Sequence, residues 1–351
     1  MPSQGLEKGR FGVEPAKEGI LTRQWRLWVL LIWFIAAAVF IYVRWNAIQW
    51  FALGDTDDNL RMAQVRAWIS GQGWYDLRQY RLDPPGGADI HWSRIADMPF
   101  AGIKLALSGL VGGKAAEKVA VTVAPLLPML VGLLAIGAIG RRLMRPRAFI
   151  LPVAILLCAP SVVGMWSPLR IDHHGWQLAM LAVAAMGLVD PKRARGGVTL
   201  GLATAVSLSI GLEMLLYLAA AGAITGLYWL RDRAEAPRLA AYGASLAGGT
   251  ALGYLLFASY ANRAPVCDAL SPVWLSVMAM AGAAGVVLAA ASPASRLGRF
   301  GLAVLAALLL TAGYAWFWPH CLGRLEGASP GLQELWLSPV RERMPVYKQR
   351  L

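Results

Sequence analysis

The chain has 351 residues, 57% of them apolar and 15% charged, with a net charge of +13 from 33 Lys and Arg against 20 Asp and Glu. Soluble domains run near 45–50% apolar and about 25% charged. The composition therefore excludes a cytosolic globular enzyme, a disordered chain and a small disulfide framework, and leaves a helical membrane protein. The basic residues cluster between apolar runs, which marks them as determinants of membrane orientation rather than a nucleic-acid footprint. The expected partner is a lipid bilayer, with no nucleic acid. The three cysteines, Cys158, Cys267 and Cys321, are too few and too scattered for a metal cluster.

In chain order, residues 1–26 form a polar, mostly charged N-terminal segment without a small-residue cleavage site after the first apolar stretch. They are expected to be cytoplasmic, with the first span kept as an uncleaved anchor. A spanning helix needs about 17–25 apolar residues. Nine runs qualify or nearly so: 27–45, 119–140, 148–166, 174–189, 197–211, 214–230, 239–258, 273–292 and 301–318. The fifth and sixth are split at Gly211-Leu212-Glu213, because a carboxylate in mid-membrane is costly. A weaker run, 98–113, is interrupted by Lys104 and reads as an interfacial or re-entrant helix.

Orientation follows the arginines and lysines. Four connections on one face carry twelve of them, including Arg141, Arg142, Arg195 and Arg238; the short connections on the other face carry only Arg170 and Arg263. The first face is expected to be cytoplasmic. The other then presents a long first loop (46–118), loops at 167–173 and 259–272, a turn at 211–213 and an external segment, 319–351. Residues 27–318 form one transmembrane domain. All four histidines and a run of seven carboxylates from Asp55 to Asp97 fall on this external face, so any chemistry is expected there.

Three segments on that face can carry chemistry. Asp55-Thr56-Asp57-Asp58 follows the first span. Carboxylates packed so closely are easiest to keep ionised beside a divalent cation; the alternative is an N-cap, Asp57 or Asp58 opening an amphipathic helix 59–70. Arg170-Ile171-Asp172-His173-His174 places Asp172 and His174 at i and i+2, which in an extended loop point the same way and can share one cation. A carboxylate–imidazole set suits Mn²⁺ better than Ca²⁺; the alternative is a polar loop with Asp172 paired to Arg170. The third, Leu337-Ser338-Pro339-Val340-Arg341-Glu342, is uninformative alone. Glu213 is expected to pair with a nearby base, Gly249-x-x-x-Gly253 to allow close helix contact, and Cys158 to lie in a core. Cys267 and Cys321 face an oxidising compartment if the external face is a bacterial periplasm, and a disulfide between them is one of two open possibilities. A transporter would place ionisable groups at the membrane midplane, whereas these spans are nearly free of charge.

In order and placement, these pieces resemble the catalytic subunit of oligosaccharyltransferases, in the GT-C class of membrane glycosyltransferases that use polyprenyl-phosphate sugars. The matching pieces are Asp55 with Arg61 six residues on, the segment Asp83-Pro84-Pro85-Gly86-Gly87-Ala88-Asp89-Ile90-His91-Trp92 followed by Asp97, the Asp172-His173-His174 triplet in the second external loop, and Ser338-Pro339-Val340-Arg341-Glu342. The resemblance implies an all-α, GT-C-like helical bundle of about nine transmembrane helices with a long first external loop containing interfacial helices. It implies transfer of a sugar or oligosaccharide from a polyprenyl-phosphate or -pyrophosphate donor to an acceptor of unknown kind on the periplasmic face of the inner membrane. A divalent metal (Mn²⁺ or Mg²⁺) would be held by Asp55, Asp172 and His174. Asp55, Asp57 and Glu342 are the catalytic candidates; Arg61, Arg170 and His91 are the substrate-binding ones. The family also has further spans and a domain with a Trp-Trp-Asp motif after these segments. This sequence has neither, so a C-terminally truncated form is expected, and with it the alternative of a non-catalytic remnant or assembly partner.

Overall fold

The computed structural model describes residues 20–323 together with residues 331 and 334. Among these the architecture is helical. In chain order the helices are α1 (Ile20–Arg23), α2 (Trp25–Val43), α3 (Trp45–Gln49), α4 (Thr56–Ile69), α5 (Asp97–Val111), α6 (Gly113–Val123), α7 (Leu126–Leu143), α8 (Ile150–Leu157), α9 (Pro160–Gly164) and α10 (His174–Leu188). They continue with α11 (Arg193–Ile210), α12 (Leu215–Arg231), α13 (Ala236–Phe257), α14 (Pro272–Ala291) and α15 (Arg296–Phe317). The described strands are one antiparallel pair in the first loop, β1 (Arg78–Gln79) and β2 (Ala88–Asp89), with Arg78 opposite Asp89.

Every one of the nine apolar runs falls on helix, and the chain is a membrane protein. Five helical stretches are long and apolar enough to cross a bilayer: Trp25–Val43, Gly113–Leu143, Arg233–Phe257, Pro272–Ala291 and Arg296–Phe317. Pro146–Leu157, His174–Leu188 and Leu215–Arg231 are shorter apolar helices. In α15 none of the most apolar stretch is buried inside the protein; Leu308, Leu309 and Phe317 point outward, as lipid-facing side chains do.

Two runs differ from their expected outlines. Run 148–166 is two helices, because Pro160 has no N–H to donate and disfavours helical backbone at Ala159. Run 119–140 begins earlier, at Gly113, where α6 leads into α7; Gly112, at φ +82°, separates it from α5. The weaker run 98–113 falls on α5, whose Lys104 pairs with Glu117 of α6 at 2.8 Å. The chain does break between α11 and α12, leaving Glu213 in the connection.

Small residues set the packing of the second half. A Cβ on Gly249 would lie 2.8 Å from that of Ala205, and one on Gly253 2.0 Å from Ser209 Oγ, so these glycines let α13 lie directly against the side chains of α11. Beneath the first loop, Met62 and Val65 of α4, Phe100 of α5, Val121 of α6, and Leu169 and Ile171 form one buried cluster. That cluster fixes α4 against the segment before α10, and so brings two distant acidic segments together. Cys158 is exposed rather than in a core. Cys267 and Cys321 are bonded, tying the 259–272 loop to the turn after α15.

Candidate active site

The site begins with the start of α4. Asp55 has extended backbone and its Oδ1 accepts from the N–H of Asp57, so Asp55 is the N-cap, two or three residues earlier than the expected Asp57 or Asp58. Once the cap is fixed at 55, helical spacing puts Asp58 and Arg61 on the same inward face as Met62 and Val65, and all four are buried. Asp58 Oδ1 accepts from the backbone N–H of Asp172 at 3.0 Å, which stitches α4 to the second external loop.

Arg170 sits between the two segments. Its guanidinium bonds Asp55 and lies 3.2 Å from Asp58 Oδ2 and 3.7 Å from Asp172 Oδ2. Asp55 and Arg170 are 115 residues apart in sequence. Three carboxylates thus converge on one cationic group. Burial opposes ionisation of Asp55, but the hydrogen bond from Arg170 and the Asp57 N–H outweigh it and lower its pKa. Asp58 is deeper. Desolvation dominates there, Arg170 offsets only part of it, and the pKa is pushed up to about 6.

A second layer lies behind Arg170. His173 is buried, with Nδ1 2.5 Å from Asp172 Oδ1 and Nε2 2.8 Å from Glu213 Oε1. A carboxylate at each ring nitrogen favours the doubly protonated ring. Burial alone would lower its pKa, but the two acceptors raise it. Arg61, 1% exposed, donates to Asp97 Oδ1 at 2.7 Å, lies 3.8 Å from Asp172 and covers the Trp92 ring at 4.8 Å. Its Nη2 is 3.1 Å from His173 Nδ1, a like-charge contact that Asp97 and Asp172 offset. Burial would raise the pKa of Asp172, but His173 and Arg61 hold it well below the usual carboxylate range. Glu213, also bonded by Gln177, is lowered to about 2 against its desolvation.

Some buried atoms of the site have no hydrogen-bond partner, Asp97 Oδ2 and Asp172 Oδ2 among them. Asp172 Oδ2 is buried and accepts no hydrogen bond, and His174 Nε2 lies 3.3 Å from it. Asp172, His173 and His174 offer ligand atoms within 4.8 Å of one another. Both nitrogens of His173 are already committed, so the donors free to hold an ion are Asp172 Oδ2 and His174 Nε2. They share this space although the backbone is not extended: His173 precedes the first residue of α10.

The remaining candidates are placed as follows. Asp57 gives its backbone N–H to Asp55. His91 is exposed, its carbonyl accepts from Asn262 at 3.2 Å, and its ring meets Trp92, which in turn packs 5.1 Å from His173. Glu342 lies outside the described residues. Arg61, expected to touch a phosphate, is instead enclosed by its acidic partners; Arg170, with 16% of its side chain exposed, is the one that reaches the surface. The sequence reading did not select Asp58, His173 or Gln177, and left Glu213 as an ordinary ion-pairing residue. The spacing of Asp55, Asp58 and Arg61 was a usable signal; the meeting of Glu213 with His173, 40 residues apart, was not.

No family model matches the chain, and no curated protein matches it. Two solved structures do. One is the archaeal oligosaccharyltransferase AglB from Archaeoglobus fulgidus in complex with an inhibitory peptide and a dolichol-phosphate, with a TM-score of 0.63 at 14% identity over 87% of this chain and 39% of that one. The other is the apo form of the Archaeoglobus fulgidus oligosaccharyltransferase, with a TM-score of 0.62 at 18% identity over 93% of this chain and 40% of that one. The chain thus spans about two fifths of the length of the structures it matches. Over that length it has the fold of an archaeal oligosaccharyltransferase, the family its sequence motifs resemble.

Proposed function

We propose that the chain is a membrane glycosyltransferase that transfers a sugar or oligosaccharide from a polyprenyl-phosphate or -pyrophosphate donor to an acceptor on the periplasmic face of the inner membrane. One observation carries this reading: Asp55, Asp58 and Asp172, from two segments more than 110 residues apart, meet around Arg170 beside His174. The fold supports it, and so does the disulfide on the same face, since such bonds persist in oxidising compartments.

The donor set of Asp172 Oδ2 and His174 Nε2, a carboxylate oxygen with an imidazole nitrogen, fits Mn²⁺ and admits Mg²⁺. Asp55 would be the third residue to hold the ion, once released from Arg170. The ion would supply positive charge for the phosphate leaving group. The protein's own groups do the rest. Arg170, partly exposed at the rim, binds a phosphate oxygen in place of Asp55. His173 and Arg61 hold Asp172 ionised and fix its direction. Asp55 or Asp57 accepts a hydrogen bond from the acceptor group and orients it towards the sugar. Residues 27–318 would form this catalytic membrane domain, with 1–26 cytoplasmic and 319–351 external.

The test is release of sugar from a polyprenyl-phosphate donor by the purified chain, with Mn²⁺ and after chelation. Turnover that is lost with chelator and restored by Mn²⁺ is expected; turnover unaffected by chelation removes the ion from the reading. The other reading is a non-catalytic remnant or assembly partner of such an enzyme, or, less in keeping with the nearly uncharged spans, a transporter. The remnant or partner is distinguished by the absence of any turnover in a chain that still binds the donor.

A further inference from the structure

At the opposite end of the bundle lies a cavity of about 470 Å³ between α2, α7, α10 and α11. The distance from the site follows from helix rise. His174 begins α10 at the site and Asp190 lies just past its other end, 16 residues on, or about 24 Å at 1.5 Å per residue. The cavity therefore opens near the other membrane surface. Its inner wall is apolar, with Val131, Leu134, Val183 and Met186 among the lining side chains. Among the described residues its mouth carries Arg26, Arg141, Arg142 and Arg195 against a single carboxylate, Asp190. Trp25 lies among them, with the guanidinium carbons of Arg26 and Arg141 at 5.6 and 5.4 Å from its ring centroid.

We infer that this cavity is a binding site for an anionic glycerophospholipid, with the phosphate diester among the four guanidiniums and the start of an acyl chain along the apolar wall. Three observations carry it. Four positive groups against one negative leave a surplus that an anionic headgroup neutralises, and basic pockets between membrane helices are where such headgroups bind. The wall behind the charges is hydrocarbon, which suits a lipid and gives nothing to a free anion. A tryptophan at the mouth is the residue type that settles at headgroup depth. The scaffold is also held open from within. Arg142 bonds the Met186 carbonyl at 2.6 Å and Asp190 at 2.9 Å, and Arg195 bonds Asp190 at 2.7 Å, so the arginines stand in place before any lipid arrives. The site is independent of the transferase reading and stands or falls separately from it.

The experiment uses the full chain in a non-ionic detergent. Binding of phosphatidylglycerol and of phosphatidylcholine is titrated by native mass spectrometry and by shift of the melting midpoint. Phosphatidylglycerol is expected to bind at least about tenfold tighter. Arg26→Gln with Arg195→Gln changes two outward side chains and should weaken phosphatidylglycerol about thirtyfold, near fivefold per guanidinium. Phosphatidylcholine should be unchanged. The same pair of changes at Arg145 and Arg147, basic residues outside the cavity, should leave the preference intact. Equal binding of the two lipids overturns the inference, as does an equal loss from the Arg145 and Arg147 changes. Displacement of phosphatidylglycerol by inorganic phosphate at similar concentration also overturns it, because the site would then be for a soluble anion.

Discussion

The two ends of the bundle handle charge in opposite ways. At the basic end, several arginines are spent largely on backbone. Arg238 bonds the carbonyls of Gly187, Leu188 and Asp190; Arg142 bonds Met186; Arg299 bonds Leu230, Pro293 and Ala294. Met186, Leu188 and Leu230 lie in the last turns of α10 and α12, where helix C-termini leave carbonyls without a partner, and a cation there also meets the negative end of the helix dipole. At the acidic end, side chains answer side chains. Asp55, Asp58, Asp97, Asp172 and Glu213 face Arg61, Arg170 and His173, and one oxygen of Asp172 and one of Asp97 accept no hydrogen bond. The first arrangement closes helices and leaves little for chemistry. The second concentrates ionisable groups with capacity unused, which is the pattern expected where a ligand completes the set.

The contrast is most sharply broken at Asp172. Asp172→Ala should lower transfer by about a thousandfold or more while the protein still extracts and elutes as the wild type does. Turnover within a few-fold of wild type would show that the orphaned oxygen has no part in the reaction. The covalent tie belongs to the acidic end alone. Cys267→Ser with Cys321→Ser should cost about 3 kcal/mol in thermal stability and leave the rate per folded molecule unchanged. At the basic end the signs reverse. Arg238→Ala removes a donor from the Gly187, Leu188 and Asp190 carbonyls and from Glu235, which keeps Arg193, and should cost about 2–3 kcal/mol, read from the melting midpoint, with transfer at low temperature intact.

The smallest effect is a matter of pH. Glu213 titrates near 2 in the folded chain against 4.5 unfolded. A lowered carboxylate contributes its stability fully above the unfolded value, and loses it as pH falls towards the folded one. The wild type should therefore lose melting temperature as pH drops below about 4.5, and Glu213→Gln, though less stable at neutral pH, should lose less over that window. Parallel curves for the two proteins would show that the His173–Glu213 pair is not formed in solution.

The helices were legible because apolar run length is a one-dimensional property. α11 and α12 were separable at Gly211-Leu212-Glu213 for the same reason: a carboxylate does not sit in hydrocarbon without cause. The break at Pro160 was legible too, from the missing N–H, and was passed over in favour of run length. The site was legible in part. Asp55, Arg170, Asp172 and His174 could be chosen from their motifs, and the structure gathers them. What spacing cannot give is partner choice. Arg61 and Arg170 are the same residue type beside the same acids, yet packing against Trp92 and Asp97 encloses one and leaves the other at the rim. Burial by residues elsewhere in the chain made that distinction, as it did for Glu213 and His173.

Arg170 has one more consequence. A cluster of acids in a membrane protein would ordinarily depend on whatever ions the medium happens to contain. Here a positive group is leashed beside them, at an effective concentration that no dilution or chelator can reduce. The pocket thus carries its own stand-in. Any visiting ion must win an exchange against it, and a chain lacking that arginine should hold metal more tightly and fold less surely without it.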